Sequence, residues 1–420
     1  MSKLDKADVL LSEGLDAIWL IITACGLLLT QVGFACLEGA AARRKDEKTV
    51  LFKNMLDHSV ASLAWYFSGY RILTAKGWFS SQDVNISYAR ILQQFGFEIT
   101  TSSIVSACVL GRCRLDTYII FSGLLAGFTY PILAFACWNP NGPLTMFGYK
   151  DFGGGGVVHF FAGCTGFVAS RLCGKRVGTT STGTNVPAMS AIGGLVLYIA
   201  WFFVNAGSSG AISNESAIRS ASRAALNTAL SAGAASIMSY LICKYVKRRL
   251  DLDFLVNSLL GGLIAITGPC GFVHPHAAVV VGLLAPWTVM ESSRMFKNVF
   301  DLDDPLEALS VHGACGCLGI VATGLFHTGE GLMYTLSPSL ITAQVTGLVV
   351  IACWALCTAL PFFSIARWLN ALSYTENEQM TGLDNIYFGD YMHGKSNEDL
   401  HQNMKVFQQV GGEKLESAVL

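Results

Sequence analysis

Two histidines stand in matching surroundings inside apolar sequence. Val158–Gly166 reads VHFFAGCTG and Val311–Gly319 reads VHGACGCLG, so both follow V-H-x-x-x-G-C-x-G, with His159 and His312 separated by 153 positions. Imidazole is the side chain that accepts, donates and relays a proton near neutral pH. One intramembrane histidine can serve as a hydrogen-bonded packing group. Two in a repeated context argue for a shared chemical task, because ionisable groups at membrane depth are costly and face a cavity or a partner. A resident metal fits less well: zinc takes four ligands, and only Cys315 and Cys317 stand near enough in sequence to be considered for copper. No cofactor or metal is expected. Asp151, ahead of Gly153–Gly156, reads either as a cation ligand or as the cap of the following helix. No Lys-Ser/Thr follows those glycines, so they are not a phosphate loop, and close helix packing accounts for them better. Glu98 reads as a second acidic handle or as a group facing Thr100, Thr101 and protein, and His274 and His276 as solvated surface groups or an external pH sensor. No nucleophile–base set converges, so an enzyme is not expected.

The elements that must position these residues are apolar. Of 420 residues, 52% are hydrophobic and 14% charged, with mean hydropathy +0.48, where a soluble domain carries about a quarter charged residues. The thirteen cysteines lie mostly in apolar runs and read as buried thiols rather than a disulfide framework. The net charge of −1 says nothing about nucleic acid, and with no basic patch with interleaved aromatics no nucleic-acid partner is expected. About 20 apolar residues cross a bilayer as a helix. Eleven candidates meet that measure: roughly 15–37, 55–74, 88–110, 117–137, 152–172, 187–207, 217–243, 254–268, 273–290, 306–326 and 339–369. The first is long enough to span and follows Asp5, Asp8 and Glu13, so no cleavable signal peptide is expected. Lys and Arg crowd the loops after odd-numbered spans (Arg43, Arg44, Lys45; Arg112, Arg114; Lys175, Arg176; Lys247, Arg248, Arg249; Arg294, Lys297), which places those loops in the cytoplasm. An extracellular segment 1–14, a transmembrane domain 15–369 and a cytoplasmic tail 370–420 follow. The two sequons, Asn85 and Asn214, fall in loops placed outside, as N-glycosylation requires.

The two histidine segments fall in spans five and ten. If 15–172 and 187–326 are repeats, each has an odd number of helices, so the second enters from the opposite face. The fold class expected is therefore all-α and polytopic: an inverted five-helix repeat plus a long last helix, 339–369, with the substrate route between the repeats. Each histidine lies on the order of 10 Å deep from opposite faces. In a core about 30 Å thick, that arithmetic leaves a gap between them.

Longer motifs carry a resemblance. GFACLEGAAARRKD (Gly33–Asp46), KNMLD (Lys53–Asp57), FGFEITTSSIVSACVLGR (Phe95–Arg112), DFGGGGVVHFFAG (Asp151–Gly163), WFFVNAGS (Trp201–Ser208) and VHGACGCLG resemble signatures of the ammonium transporter (Amt) family, nearer to Amt proteins than to Rh glycoproteins. The resemblance implies a plasma-membrane homotrimer, each subunit of eleven helices around its own pore. It implies that an outer vestibule and gate recruit NH4⁺ through Phe97, Trp138, Trp201, Val204 and Ser208, and that His159 and His312 line the path below. For Trp138 alone, membrane anchoring is an equal reading; for Asp151 the resemblance favours the structural role. Ammonium would lose its proton near the vestibule and pass as NH3, the proton following or not; whether methylammonium is accepted as well stays open. K⁺ has no proton to lose. Two other functions stay open: an ammonium sensor with little transport, and an Rh-like neutral NH3/CO2 channel. Three departures are visible. Val204 stands where a second gate Phe is usual, with Phe202 and Phe203 beside it; Glu307 stands where an Asp is usual; and GLDNIYFGDYMHG (Gly382–Gly394) has a longer spacer than the family pattern.

Overall fold

The computed structural model describes residues 3–74, 88–178 and 186–389. Among them, eleven long helical segments follow one another. They are α1 (Lys3–Leu28, resuming as Thr30–Ala41), α2 (Glu47–Ala64, Trp65–Gly69 and Tyr70–Leu73), α3 (Tyr88–Cys108) and α4 (Leu115–Leu124, Leu125–Thr129 and Tyr130–Trp138). Next come α5 (Gly155–Phe160 and Phe161–Cys173), α6 (Pro187–Gly207), α7 (Glu215–Ile242 and Cys243–Lys247) and α8 (Leu252–Thr267). The last three are α9 (Pro275–Asn298), α10 (Leu309–Ala314 and Cys315–Phe326) and α11 (Ser339–Trp368). Two short helices, α12 (Glu376–Thr381) and α13 (Leu383–Phe388), follow. The described residues contain no strand, only two isolated bridges, Cys113 with Ser373 and Val273 with His327.

Seven of these helices are long and apolar enough to cross a membrane. The exceptions have physical causes. Lys53, Asp57 and Arg71 interrupt α2, Glu98 and a run of Thr and Ser interrupt α3, α8 is 16 residues long, and α9 ends in Glu291, Arg294 and Lys297. Large apolar side chains point outward along whole faces, as with Ile192, Leu195 and Ile199 on α6 or Val345, Val349, Leu356 and Leu360 on α11. In water such faces would be a liability; against lipid they are the expected surface. Inside, small residues let helices approach: a Cβ on Gly282 would lie 2.2 Å from the Ser231 carbonyl, and one on Gly33 3.1 Å from that of Gly193.

Alternate loops gather at two ends. At one end Arg43 donates to Val177 O (3.0 Å), Arg176 pairs with Asp303 (2.8 Å) and Arg114 N donates to Leu372 O (2.9 Å). At the other, Asn139 donates to Leu73 O (3.3 Å), Lys150 pairs with Glu330 (2.6 Å) and Asp16 accepts from Ile212 and Ser213 N (2.7 and 2.8 Å). The first end holds the Lys/Arg-rich loops and is called the basic end below. The start of the tail docks there. The Asp384 carboxylate accepts from Lys48 N (3.0 Å) and Thr49 N (2.7 Å), satisfying donors that the first turn of α2 leaves open. A capping box at Thr375 and Glu378 starts α12, and Glu378 also pairs with Arg114 at 3.1 Å.

Candidate functional site

The helices carrying the histidines both begin with a widened turn. Gly155–Phe160 and Leu309–Ala314 are wound with i→i+5 hydrogen bonds, as His159 N to Gly154 O (3.1 Å) illustrates. Such turns are uncommon and concentrate at functional sites. At α5 the start is built by Asp151. Its Oδ1 accepts from Gly154 N (3.0 Å) and Gly155 N (2.8 Å), and its Oδ2 from Gly156 N (2.8 Å) and Val157 N (3.0 Å). All four orphan donors of the helix start are thereby satisfied by one carboxylate. Gly154 sits at φ 97 to allow it. Of the two readings of Asp151, the cap is the one these bonds occupy.

The matching start of α10 is built by Asp304, which lies outside the sequence motifs quoted above. Asp304 Oδ2 accepts from Leu309 N (2.7 Å), whereas Glu307 turns away, accepting from Ser293 (2.7 Å) and Asn257 (3.2 Å). The acidic position of this repeat is therefore filled by Asp304, and Glu307 has another task. Sequence carried the signal: Asp151 precedes His159 by the same eight positions that separate Asp304 from His312.

The histidines meet. His159 Nδ1 and His312 Nδ1 are 3.2 Å apart, their ring centroids 5.3 Å, and the two residues are 1% and 5% exposed. The expected gap is closed because the two helices touch through glycine. A Cβ on Gly163 would lie 2.3 Å from Gly313 Cα, and one on Gly316 2.6 Å from Gly155 O and 3.2 Å from His159 Cβ. Each ring has an aromatic neighbour from the other half of the chain. Trp201 of α6 stacks on His159 (5.4 Å, 23°), and Phe34 of α1 tilts against His312 (5.8 Å, 44°). Trp201 thus sits at the level of the histidines, its indole N–H donating to Thr267 Oγ1 (2.9 Å), rather than among the vestibule rings.

Above the pair, away from the basic end, Phe97 and Trp138 face each other at 5.6 Å and 58°, and Trp138 Nε1 donates to Asp151 O (2.8 Å). That bond fixes the indole to the start of α5, more than membrane anchoring needs. Gln93, one turn before Phe97, donates to Gly207 O (2.6 Å) and ties α3 to the end of α6, where Ser208 donates to Val204 O (2.7 Å). Val204 is buried, Phe203 packs where a Cβ on Gly26 would fall, and Phe202 meets Tyr198 edge-on. Below the pair, a cavity of about 20 Å³ reaches His312 past Phe34 and Asn257. It shares Leu37, Asn257 and Leu306 with an open cavity of about 280 Å³ at the basic end, lined also by Lys247, Arg294 and Glu307.

The remaining sequence candidates fall elsewhere. Cys315 Sγ is directed to Ala285 O (3.9 Å), and the described residues hold no group of three His, Cys, Asp or Glu suited to a metal. His274 and His276 stack on each other (5.3 Å) beside Tyr334. Asn214 caps α7 through Ala217 N (2.9 Å), and Asn85 lies outside the described residues.

Apolar-faced helices around a buried histidine pair, with aromatic rings at one approach and a charged cavity at the other, define a multi-pass membrane protein that handles a small solute. Comparison with known proteins is more specific. The model of the Ammonium Transporter Family matches residues 18–392, and the chain belongs to that family. It is 30% identical to "Ammonium transporter 1 member 3" of Solanum lycopersicum, over 92% of this chain and 95% of the relative. It is 28% identical to "Ammonium transporter Amt2" of Archaeoglobus fulgidus, over 88% and 86%. Among solved structures, "Sensor Amt Protein" superposes with TM-score 0.83 at 22% identity, covering 90% of this chain and 99% of its own. Mep2 of Saccharomyces cerevisiae gives 0.77 at 22% identity, covering 87% and 88%.

Proposed function

We propose that this chain is an ammonium transporter that recruits NH4⁺ over Phe97 and Trp138, strips a proton there, and passes NH3 along the imidazoles of His159 and His312. The observation that carries the reading is the 3.2 Å Nδ1–Nδ1 contact between two buried histidines. Two ring nitrogens that close share one hydrogen, so one ring is the Nδ1–H tautomer and the other the Nε2–H tautomer. The pair therefore offers the passing molecule one N–H donor and one bare nitrogen acceptor. Ammonia, itself donor and acceptor, fits such a pair; an ammonium ion has only donors, and desolvating it costs several kcal/mol. An aromatic face contributes up to about 2 kcal/mol to binding the cation before the proton leaves. Potassium meets the same cost of desolvation and has no proton to leave behind.

On this reading all eleven helices span, α1–α5 and α6–α10 are the inverted repeats, and the basic end is cytoplasmic, in the plasma membrane and as a homotrimer. Asn214 then lies outside, open to glycosylation. The Trp201–His159 and Phe34–His312 pairs support the repeat, since α6 and α1 are its corresponding helices. The test is uptake of labelled methylammonium, with ammonium-evoked current, in cells expressing wild type or the His159→Ala/His312→Ala double variant. Uptake should fall at least tenfold in the variant, or K⁺ should begin to pass. Unchanged uptake with unchanged K⁺ exclusion would sink the assignment to the histidines. Binding of ammonium without uptake or current in wild type would favour a sensor.

A further inference from the structure

The two helices least fitted to lipid, α2 and α3, face each other with buried polar groups that the pore does not use. Glu98, Ser102 and Ser106 recur every four residues and so share one face of α3. Ser102 donates to Asp57, its Oγ 3.1 Å from both carboxylate oxygens, and lies 3.1 Å from Tyr118 Oη. One turn on, Ser106 donates to Glu38 Oε1 (2.7 Å); Lys53 reaches both Ser106 and Glu38 Oε2 (2.8 Å) and stands 5.0 Å over the Tyr118 ring. The Lys53 side chain is 12% exposed, next to the basic end. At the other extreme is Glu98, directly after Phe97. It is 0% exposed and neither oxygen has a hydrogen-bond partner among the described residues; Tyr130 Oη is also buried without one among them. An unpaired buried carboxyl is among the most costly groups a membrane helix can carry. Packing alone gives no reason for it.

We propose that the row from Glu98 through Ser102, Asp57, Tyr118 and Ser106 to Glu38 and Lys53 is a proton route separate from the twin histidines. This rests on the reading of the chain as an ammonium transporter. At the gate an N–H bond of ammonium breaks, its electron pair stays on nitrogen as NH3, and the proton forms an O–H bond with a Glu98 oxygen. Ammonia continues past His159 and His312. The proton passes to Asp57 by way of the Ser102 hydroxyl, then by Ser106 to the Glu38 carboxylate, and rejoins ammonia at the basic end. One NH4⁺ has then crossed and Glu98 is a carboxylate again. Each step along α3 covers about one helical turn, about 6 Å of rise, a span that a bridging water would bring within hydrogen-bond reach.

The experiment uses the purified full chain in liposomes, with two readouts taken above empty liposomes: charge moved on an ammonium pulse, and internal alkalinisation reported by a trapped pH dye. Wild type should move charge. Glu98→Gln and Ser102→Ala, close in shape and independent of each other, should cut that charge at least tenfold while protein-dependent alkalinisation persists or grows, because ammonia now enters alone. Asp57→Asn should do the same. Wild-type charge movement in Glu98→Gln and Ser102→Ala would overturn the route. So would equal loss of both signals in variants that elute as folded protein, since the row would then be inseparable from the pore. Alkalinisation without charge in wild type overturns the route and leaves the transporter reading standing; neither signal in wild type removes the transporter reading itself.

Discussion

The starts of α5 and α10 set the same side chain at the same distance from its cap, eight residues, yet they are built differently. Asp151 receives four backbone N–H groups; Asp304 receives that of Leu309, and its Oδ1 has no hydrogen-bond partner among the described residues. Glycine explains the contrast. With Gly153–Gly156 after it, the chain turns tightly enough for successive donors to converge, and Gly156 also clears the Tyr149 hydroxyl, which a Cβ would approach to 2.0 Å. After Asp304 come Pro305, which has no N–H, and Glu307, held at φ 55. The histidines are nonetheless equivalent, so their depth is set by contact between α5 and α10 and not by how well each helix is capped.

The largest effect should separate the two caps. Asp151→Ala leaves four buried donors unpaired, at about 1–3 kcal/mol each, and the protein should not be recovered folded. Asp304→Ala removes one bond, about 1 kcal/mol, and should leave a folded transporter. Size-exclusion profiles and thermal midpoints in detergent read both; equal losses would show that the asymmetry has no energetic weight.

Next is the glycine contact. A Cβ at Gly163 meets the Gly313 backbone at 2.3 Å, whereas one at Gly313 meets Gly163 Cα at 3.3 Å. Gly163→Ala must push α5 from α10 and break the His159–His312 contact, so methylammonium uptake should fall at least tenfold. Gly313→Ala asks for a few tenths of an ångström and should retain most uptake. The reverse order would mean that the histidines do not depend on this approach.

How much of this could be read from sequence follows from what hydropathy and spacing encode. Apolar runs mark helices because a lipid-facing helix must be apolar along its length, and the repeated motif marks His159 and His312 as corresponding positions. Neither says which helices are neighbours. The histidine contact depends on Gly163 and Gly316 allowing close approach, which the depth along each helix taken alone does not encode. The motif WFFVNAGS groups Trp201 with the vestibule residues, while Trp201 and Ser208 lie two turns apart on α6. Residue type near the motif points to Glu307, whereas the eight-residue spacing that Asp304 and His312 share with Asp151 and His159 points to Asp304. The row from Glu98 to Lys53 is invisible in one helix; it exists only where α1, α2, α3 and α4 meet.

The smallest effect sharpens the same comparison through pH. Burial pushes the Asp304 carboxyl up to about 6, and Glu307 nearby adds to this, against the opposing bond from Leu309 and the charge of Arg112. A carboxyl whose folded pKa exceeds its unfolded one, near 3.8, holds its proton more tightly in the folded state. Between pH 4 and 6 the folded protein therefore binds the extra proton, and stability falls as pH rises through that window, levelling off above it. Two pH units correspond to at most about 3 kcal/mol, a shift of a few degrees in a chain of this size. Asp304→Asn keeps an acceptor for Leu309 N and removes the titration, so its thermal midpoint should lose less than wild type between pH 4.5 and 7. The two profiles running parallel would mean that Asp304 is ionised throughout, and that the start of α10 is as well satisfied as the start of α5.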